Sequence, residues 1–179
     1  MTMRATFLDA GEMEPVEVLG STMAFLATGA ETDGSYEVVL VEAGPGGDTV
    51  PHRHPWHEFY FVLEGTLEVE VGARRHVAGP GSFLTIPPRA VHGFTVTSER
   101  ARFLHVSMGD AAVAAFRDYH QVSPGEPAPE DLPELLQVNQ RHGVEVVIPG
   151  IGPIRTLEDL ADLPRPRPRL TGGTPRVGY

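Results

Sequence analysis

The sequence predicts an all-β protein, an antiparallel sandwich or barrel with a C-terminal helical extension. Short runs rich in Val, Phe and Tyr recur up to residue 108, and turn residues separate them. The stretch TLEVEV alternates apolar and acidic residues, which is typical of a strand buried on one face. After Gly109 good helix formers replace this pattern. Strands without helices between them favour antiparallel pairing, so a β-rich domain precedes the helices.

Seven strands are predicted in the first two-thirds of the chain. They cover residues 21–28, 36–43, 58–63, 66–71, 82–86, 92–97 and 102–108. Glu64-Gly65 is a tight-turn signal between two of these strands. In the strand 66–71 the three apolar side chains should face inward and the two glutamates should face solvent.

The helical part of the chain begins after residue 109. Three helical segments are predicted, at residues 110–120, 130–143 and 155–163. Asp110 is a possible N-cap of the first segment, and Gly143 is the expected C-cap of the second. A short apolar run, 144–150, separates the second segment from the third.

The predicted organisation has three parts. Residues 1–109 form a barrel with N-terminal strands, residues 110–163 form a helical extension packed on it, and residues 164–179 form a flexible tail. The Pro-Arg alternation of the tail prevents helix formation and favours extended chain. The extension covers the mouth of the barrel as a lid or contributes to a dimer contact.

Composition excludes several classes of function. The chain has 179 residues and a net charge of −10, and the four arginines of the tail leave −14 on the rest, that is −10 minus 4. Such an acidic body argues against nucleic acid as a partner. The absence of cysteine excludes thiolate metal sites and cysteine nucleophiles. No apolar run is long enough to span a bilayer and no secretory signal is evident, so we expect no membrane partner and a cytoplasmic location.

Residues 46–65, GGDTVPHRHPWHEFYFVLEG, carry the strongest functional signal. His52 and His54 share one face of an extended chain and lie about 6–7 Å apart along it, so both imidazoles can reach one ion. Glu58 follows four residues later, after Pro55-Trp56 redirects the chain. His92 opens a later strand, and a hairpin can bring it beside the first pair.

A surface loop of solvated histidines is the alternative interpretation of this segment. Three observations favour a metal site instead. The histidine pair directly precedes an apolar strand, a glutamate lies at a distance compatible with ligation, and a lone histidine recurs one hairpin later.

The same residues resemble the first motif of the cupin family. That motif has a glycine, five residues, two histidines separated by one residue, three or four residues, a glutamate, six residues and a glycine. Here Gly46, His52, His54, Glu58 and Gly65 match it at every fixed position.

A second cupin motif is matched in part. Gly81, Pro87 and His92 occupy its positions, whereas Arg89 stands where the family has glycine and Val96 where it has asparagine. The resemblance covers roughly residues 20–108. It implies the double-stranded β-helix, or jelly-roll barrel, of a small single-domain cupin similar to quercetinases.

The resemblance also implies a ligand set. His52, His54, Glu58 and His92 are its expected metal ligands, with positions left for water or substrate. His57 competes with Glu58, but its parity along the strand is opposite, so we expect it to be exposed or to lie beside the ligands. Three imidazoles and one carboxylate suit one divalent transition metal, which is Mn, Fe, Co, Ni, Cu or Zn.

Aromatic residues dominate the predicted surroundings of this site. Tyr60, Phe94 and Phe103 are candidates to line a substrate cavity, although packing in the core explains each of them equally well. His105 shares the parity of Phe103, and it is either a core histidine or a neighbour of the ligands. Because Arg53 should point outward, a small apolar or aromatic substrate is expected rather than a phosphorylated one.

Three functions remain open from the sequence. The first is a dioxygenase acting with O₂ on a flavonol-like or other enolisable aromatic substrate, in which Glu58 is also the catalytic base, as the resemblance to flavonol dioxygenases implies. The second is a cyclase, isomerase or lyase that uses the metal as a Lewis acid. The third is a module that binds a small molecule without turnover. The family resemblance also implies a homodimer, formed by exchange of strands near the N-terminus.

Overall fold

The computed structural model describes residues 7–45 and 47–161 and shows two six-stranded antiparallel sheets. The predicted tail, 164–179, and Gly46 of the first motif lie outside the described residues. The strands are β1 (Val16–Val18), β2 (Ser21–Ala27), β3 (Tyr36–Ala43), β4 (His52–Arg53), β5 (Glu58–Glu64), β6 (Leu67–Val71), β7 (Arg74–Ala78), β8 (Phe83–Ile86), β9 (His92–Val96), β10 (Ala101–Met108), β11 (Glu145–Ile148) and β12 (Gly152–Ile154). The helices are α1 (Gly29–Thr32), α2 (Ala112–Val122), α3 (Leu132–His142) and α4 (Leu157–Ala161). The all-β prediction with C-terminal helices is confirmed.

The strand order shows a jelly-roll arrangement. The first sheet runs β1-β2-β3-β10-β5-β8 and the second runs β12-β11-β4-β9-β6-β7. The chain passes from the first sheet to the second at Gly65, whose φ is +74°. A Cβ at this position would lie 2.0 Å from the carbonyl oxygen of Arg100, so only glycine fits the turn.

The core lies between the two sheets and follows the two-residue period of the strands. On β6, Leu67 and Val69 are fully buried, as the alternation of TLEVEV predicts. The same inward face continues on the neighbouring strands with Val39, Val41, Val62, Ile86, Phe94, Val96 and Phe103. All seven predicted strands are present, β1 is one of the expected N-terminal strands, and the short strands β4, β7, β11 and β12 are additional.

The two long helices pack together and against β1 at one side of the barrel. Helix α3 ends at Gly143 with a left-handed φ of +67°, as predicted. Helix α2 begins at Ala112 and has no side-chain cap, so the expectation that Asp110 is its N-cap is wrong. Instead, the buried carboxylate of Glu37 on β3 accepts a hydrogen bond from the backbone N–H of Val113 at 2.9 Å. This bond ties the start of α2 to the first sheet.

The C-terminal segment is helical only in part, because β11 and β12 form a hairpin within it. Strand β11 pairs with β4, which places Val146 opposite His52 and Glu145 opposite Arg53. The hairpin therefore extends the second sheet at the strand that carries the histidine pair.

Candidate metal centre

The first element of the site is the pairing of β4 with β9. His52 on β4 lies directly opposite His92 on β9, although 40 positions separate them in the sequence. Their ring centroids are 4.3 Å apart. The pairing of β4 with β9 thus brings His92 beside His52, as the sequence predicted.

His54 completes a cluster of three imidazoles. Its ring centroid lies 5.6 Å from that of His52 and 4.8 Å from that of His92. One ring nitrogen from each of the three lies within 4.8 Å of the others, which suits a shared metal ion. His54 and His92 are buried, and His52 is partly exposed.

The backbone fixes the orientation of all three rings. The Nδ1 atoms of His52, His54 and His92 lie 3.0, 3.1 and 2.9 Å from the carbonyl oxygens of Val50, Trp56 and Ala90 respectively. Each contact places the ring proton on Nδ1 when the imidazole is neutral. The three Nε2 atoms then carry free lone pairs. This arrangement of a second ring nitrogen bonded to a carbonyl is the usual support of a metal-ligating histidine.

Glu58 lies against the same imidazoles. One of its oxygens, Oε1, is 2.8 Å from Nε2 of His92, and the other, Oε2, is 3.1 Å from Nε2 of His54. The side chain is 3% exposed. Its inward position follows from the parity that it shares with Tyr60 and Val62 on β5.

These close approaches fit a cation held among the four groups. His54 already uses its Nδ1 proton for a backbone carbonyl, so a neutral ring has no proton left on Nε2 to donate to Glu58. Nε2 of His92 is buried and makes no hydrogen bond of acceptable geometry within the described residues, despite its short distance to the carboxylate. A divalent metal accepts lone pairs from imidazole nitrogen and carboxylate oxygen alike. The donor set therefore fits the metal that the sequence analysis expected.

The ionisation states of Glu58 and His52 also suit a metal, whereas a proton on His92 would compete with one. Burial alone would raise the pKa of Glu58, but the contacts of its carboxylate with the imidazoles of His105, His54 and His92 outweigh it and hold the pKa well below 4.5. Loss of water lowers the pKa of His52 to about 4, and the neighbouring His92 contributes in the same direction. Burial would also lower the pKa of His92, but the contact with Glu58 raises it above 6.5. Glu58 is thus anionic and His52 neutral at pH 7.

Two further residues contact the carboxylate of Glu58. The hydroxyl of Tyr60 donates to Oε1 at 3.0 Å, and Nε2 of His105 lies 2.8 Å from Oε2. Burial, together with the charge of Glu58, raises the pKa of Tyr60 well above 10. The side chain of His105 is therefore a neighbour of the proposed ligand Glu58.

The predicted cavity residues form one aromatic group beside the site. Tyr60, Phe94 and Phe103 are 3%, 6% and 1% exposed. The ring of Tyr60 lies 5.2 Å from Phe103 and 6.2 Å from Phe94, and those two phenylalanines are 5.3 Å apart. Such contacts are typical of core packing, and through Tyr60 they place apolar rings next to the carboxylate of Glu58.

His57 and Arg53 lie away from the cluster. Nε2 of His57 contacts the hydroxyl of Thr85 at 3.0 Å, and its ring stacks on Phe59 on the outer face of the first sheet. Arg53 points outward and binds Glu145. His57 is half-buried and is directed away from the three clustered histidines.

Sequence reasoning gave no role to Trp56. The indole stacks on the imidazole of His54, with centroids 4.1 Å apart and an angle of 7° between the planes. Trp56 has the same parity along the chain as His54 and Glu58. This parity could have indicated that its side chain lies on the same side as theirs.

The two departures from the second cupin motif leave the site in place. Arg89 has a φ of +63°, so it adopts the left-handed conformation that glycine favours, and its backbone N–H donates to the carbonyl of His54 at 2.8 Å. Val96 is buried in the barrel core.

Fold and site together define a small double-sheet β-barrel protein whose second sheet presents three converging histidines to the interior. A family model for the cupin domain matches residues 39–107. This part of the chain is therefore similar to a cupin domain.

Curated relatives align over part of the chain. A quercetin 2,3-dioxygenase of Bacillus subtilis is 28% identical over 100 residues, which is 55% of this chain and 30% of that protein. The dimethylsulfoniopropionate lyase DddW of Ruegeria pomeroyi is 39% identical over 66 residues, covering 37% of this chain and 43% of the lyase. A 5-nitrosalicylic acid 1,2-dioxygenase of Bradyrhizobium is 31% identical over 72 residues, covering 40% and 34%. The chain thus spans less than half the length of these relatives.

Solved structures confirm the fold. An RmlC-like cupin from Shewanella frigidimarina has a TM-score of 0.56 at 17% identity, over 64% of this chain and 99% of that one. KdgF from Halomonas also has a TM-score of 0.56, at 18% identity over 62% and 99%. The polyketide cyclase RemF from Streptomyces resistomycificus has a TM-score of 0.52 at 24% identity over 59% and 80%.

Among the described residues, no helix has both the length and the apolar character that a membrane span requires.

Proposed function

We propose that this cupin is a metal-dependent dioxygenase that acts on a flavonol-like or other enolisable aromatic substrate at a centre formed by His52, His54, His92 and Glu58. The observation that carries the proposal is the convergence of three imidazoles whose Nδ1 atoms are all engaged by backbone carbonyls. The similarity to two dioxygenases of aromatic compounds supports the oxidative reaction.

Within this proposal the metal supplies Lewis acidity and, if it is redox-active, a means of reaction with O₂. Imidazole and carboxylate ligands suit Mn, Fe, Co, Ni, Cu or Zn, and the stability series favours Cu over the others. The remaining chemistry belongs to side chains of the protein.

Glu58 is the proposed catalytic base. Because its pKa is held low, it is a carboxylate at neutral pH and accepts the proton of a substrate hydroxyl, which leaves an enolate or phenolate oxygen on the substrate. The hydroxyl of Tyr60 and Nε2 of His105 keep the carboxylate oriented while it does so. The same carboxylate contacts His54 and His92, so a substrate hydroxyl next to these two imidazoles would lie within its reach.

The aromatic group supplies the substrate surface. Tyr60, Phe94 and Phe103 pack edge to face or tilted around the interior next to Glu58. Flat aromatic rings pack favourably on such surfaces, and the energy of each pair is about 0.5–1.5 kcal/mol beyond area burial. Arg53, whose guanidinium binds Glu145 on the outside, adds no positive charge to this interior. An apolar aromatic substrate therefore suits the site better than a phosphorylated one.

A non-oxidative reaction is the second candidate. The relative with the highest identity among the three described above is a lyase, at 39% over 66 residues. A cyclase, isomerase or lyase would need the metal only as a Lewis acid, so Zn would serve as well as a redox metal.

Oxygen uptake separates these candidates. The metal-free protein is reconstituted in turn with Mn, Fe, Co, Ni, Cu and Zn, and O₂ consumption is followed with quercetin and simple 1,3-diketones. Consumption of about one O₂ per substrate with redox metals alone supports the dioxygenase. Turnover under argon, or with Zn, supports the non-oxidative reaction. Tight binding of the substrates without turnover would contradict both and support a binding module.

We also propose that the protein forms a homodimer through the outer face of the first sheet. One apolar row crosses five strands of that sheet in register, and it consists of Ala24, Leu40, Leu104, Phe61 and Phe83. A second row of Val38, Val106 and Phe59 lies beside it. Phe83 is 64% exposed.

The size and charge of this face suit a second copy of the chain. The three rows described here, on five strands, cover roughly 500 Å² of each copy at ordinary strand spacings, or about 1,000 Å² in a pair, which is the lower limit for a stable interface. At one edge Arg102 and Arg100 both pair with Glu42 and Glu64, so two positive and two negative charges balance within the chain. An apolar face whose edge charges are paired within the chain can pack against the same face of a second copy, related to it by a two-fold axis.

A further inference from the structure

Trp56 contacts His54 in two independent ways. The indole and imidazole planes are parallel within 7°, with centroids 4.1 Å apart. The backbone carbonyl oxygen of the same Trp56 lies 3.1 Å from Nδ1 of His54. The stack fixes the plane of the imidazole, and the carbonyl fixes its rotation within that plane. Together they determine the direction of the Nε2 lone pair.

The helical part of the chain holds the indole in turn. Trp56 is 8% exposed and belongs to a second core cluster, separate from the barrel core. The buried members of this cluster from α2 and α3 are Ala112, Ala115, Tyr119, Leu135 and Val138. A hydrogen bond from the hydroxyl of Tyr119 to Oδ1 of Asn139 links the two helices beside them.

No hydrogen bond of the indole explains the buried position of Trp56. Within the described residues, its Nε1 is buried and has no hydrogen-bond partner. A buried donor without an acceptor weakens the folded state, so an indole is an unfavourable choice for a purely structural core position. Its large aromatic face, in contrast, matches the imidazole that it covers.

We propose that Trp56 is a positioning residue that couples the packing of α2 and α3 to the orientation of His54. It touches neither substrate nor reacting atoms and acts only through the imidazole that it stacks on. The proposal rests on the metal site proposed above, because it concerns the direction from which His54 binds the ion.

This coupling gives the C-terminal segment a role in the metal centre. His52 is held by backbone pairing with β11, and His54 is held through Trp56 by α2 and α3. Both histidines of the pair thus depend on residues that follow the barrel in sequence. Partners that orient metal ligands commonly change metal affinity about 10–100-fold when they are removed.

Two substitutions separate stacking from simple space filling. Trp56→Phe keeps an aromatic face, whereas Trp56→Met fills the cluster with an adaptable chain that has no ring. Leu67→Ala is the matched control, because it opens a cavity in the barrel core at the end of β6 remote from His92. Each folded protein is loaded with Co²⁺, and the dissociation constant and the visible absorption spectrum are measured.

The expected order is wild type, then Trp56→Phe, then Trp56→Met. The Met variant should bind Co²⁺ about tenfold or more weakly and show a shifted spectrum, with the Phe variant restoring much of both. Leu67→Ala should lower the melting temperature and leave the spectrum unchanged. A Met variant with wild-type affinity and spectrum would overturn the coupling alone. A wild-type protein that binds no Co²⁺ would overturn the metal site itself.

The wild-type protein offers a second measurement that does not depend on the folding of any variant. Trp56 is the only tryptophan of the chain, so its emission reports this contact alone. Zn²⁺, which has no unpaired electrons, should change the emission and saturate at about one equivalent, because coordination alters the charge of the stacked imidazole. Stoichiometric Zn²⁺ binding with unchanged emission would refute the contact.

Discussion

His52 and His92 face each other across the β4–β9 pair, with their ring centroids 4.3 Å apart. Two histidines 40 positions apart in the chain thus become neighbours through backbone pairing alone. Because backbone hydrogen bonds set their positions, the site should exist before any metal arrives. The predictions below follow from this preformed arrangement.

Removing a proposed ligand should remove the metal without unfolding the protein. His92→Ala is expected to lower the metal content from about one equivalent per chain to below roughly a tenth, because it removes one of the four proposed ligands and leaves two imidazoles and one carboxylate to hold the ion. The barrel core does not include His92, so the circular dichroism spectrum should be retained. His57→Ala, a histidine from the same segment on the outer face, is the control and should keep its metal. Full occupancy in His92→Ala, by elemental analysis, would refute the assignment.

Glu58→Gln should affect turnover more than metal content. The amide keeps the size of the side chain but cannot accept a proton as a base, so turnover should fall by about 100-fold or more. With three imidazoles still present, metal content should fall by less than about tenfold. Steady-state rates and elemental analysis of the same preparation provide the comparison. Equal losses of metal and turnover would show that Glu58 acts only as a ligand.

A charge on the outer face of the first sheet should separate the proposed dimer. Phe61→Glu places a carboxylate within the apolar row, where a second copy would bury it at a large desolvation cost. Light scattering during size exclusion should give the mass of two chains for the wild type and of one chain for the variant. Val77→Glu, at an exposed apolar residue of the other sheet, should remain dimeric. A monomeric wild type, or a dimeric Phe61→Glu, would contradict the proposed surface, and a wild type that stays attached to a different protein would favour another occupant.

The ion pairs that hold β11 should lose their effect in acid. Hydrogen bonds with Arg155 and then Arg53 hold the pKa of Glu145 below its ordinary 4.5. Since the folded pKa lies below the unfolded one, the stabilisation is present above about pH 4.5 and disappears as the pH falls through the folded pKa. The melting temperature of the wild type should exceed that of Glu145→Gln at pH 7, and the difference should shrink below pH 4.5. A difference that stays constant down to pH 3 would contradict this account.

Arg89 should tolerate replacement by glycine better than by alanine. Its φ of +63° strains any residue that has a Cβ, and Arg89→Gly should raise the free energy of unfolding by about 1 kcal/mol. Arg89→Ala keeps the Cβ and should bring no such gain. Urea denaturation measures both. Equal stability of the two variants would show that the turn is unstrained.

Much of the barrel could be predicted because local patterns and tertiary packing agree there. The alternation in TLEVEV specifies which side chains enter the core, and Leu67 and Val69 are buried as it indicates. The histidine cluster could be predicted for the same reason. In a strand, parity and spacing determine which face a side chain occupies, and they place His52 and Glu58 on the inner face.

Other features depend on residues that are distant in the sequence, and no local pattern identifies such partners. Asp110 was the expected cap of α2, but the carboxylate that receives Val113 comes from Glu37, 76 positions away. A glutamate at an inward position of an apolar strand was the signal of this role. Strand β11 was visible only as an apolar run, because its identity as a strand comes from pairing with β4.

The most direct test of the account is the structure of the protein crystallised with one equivalent of Zn²⁺. The account predicts a single ion about 2.0–2.1 Å from Nε2 of His52, His54 and His92, with a Glu58 oxygen next to it. An ion bound elsewhere, or a His92 side chain directed into solvent away from the other two histidines, would contradict it.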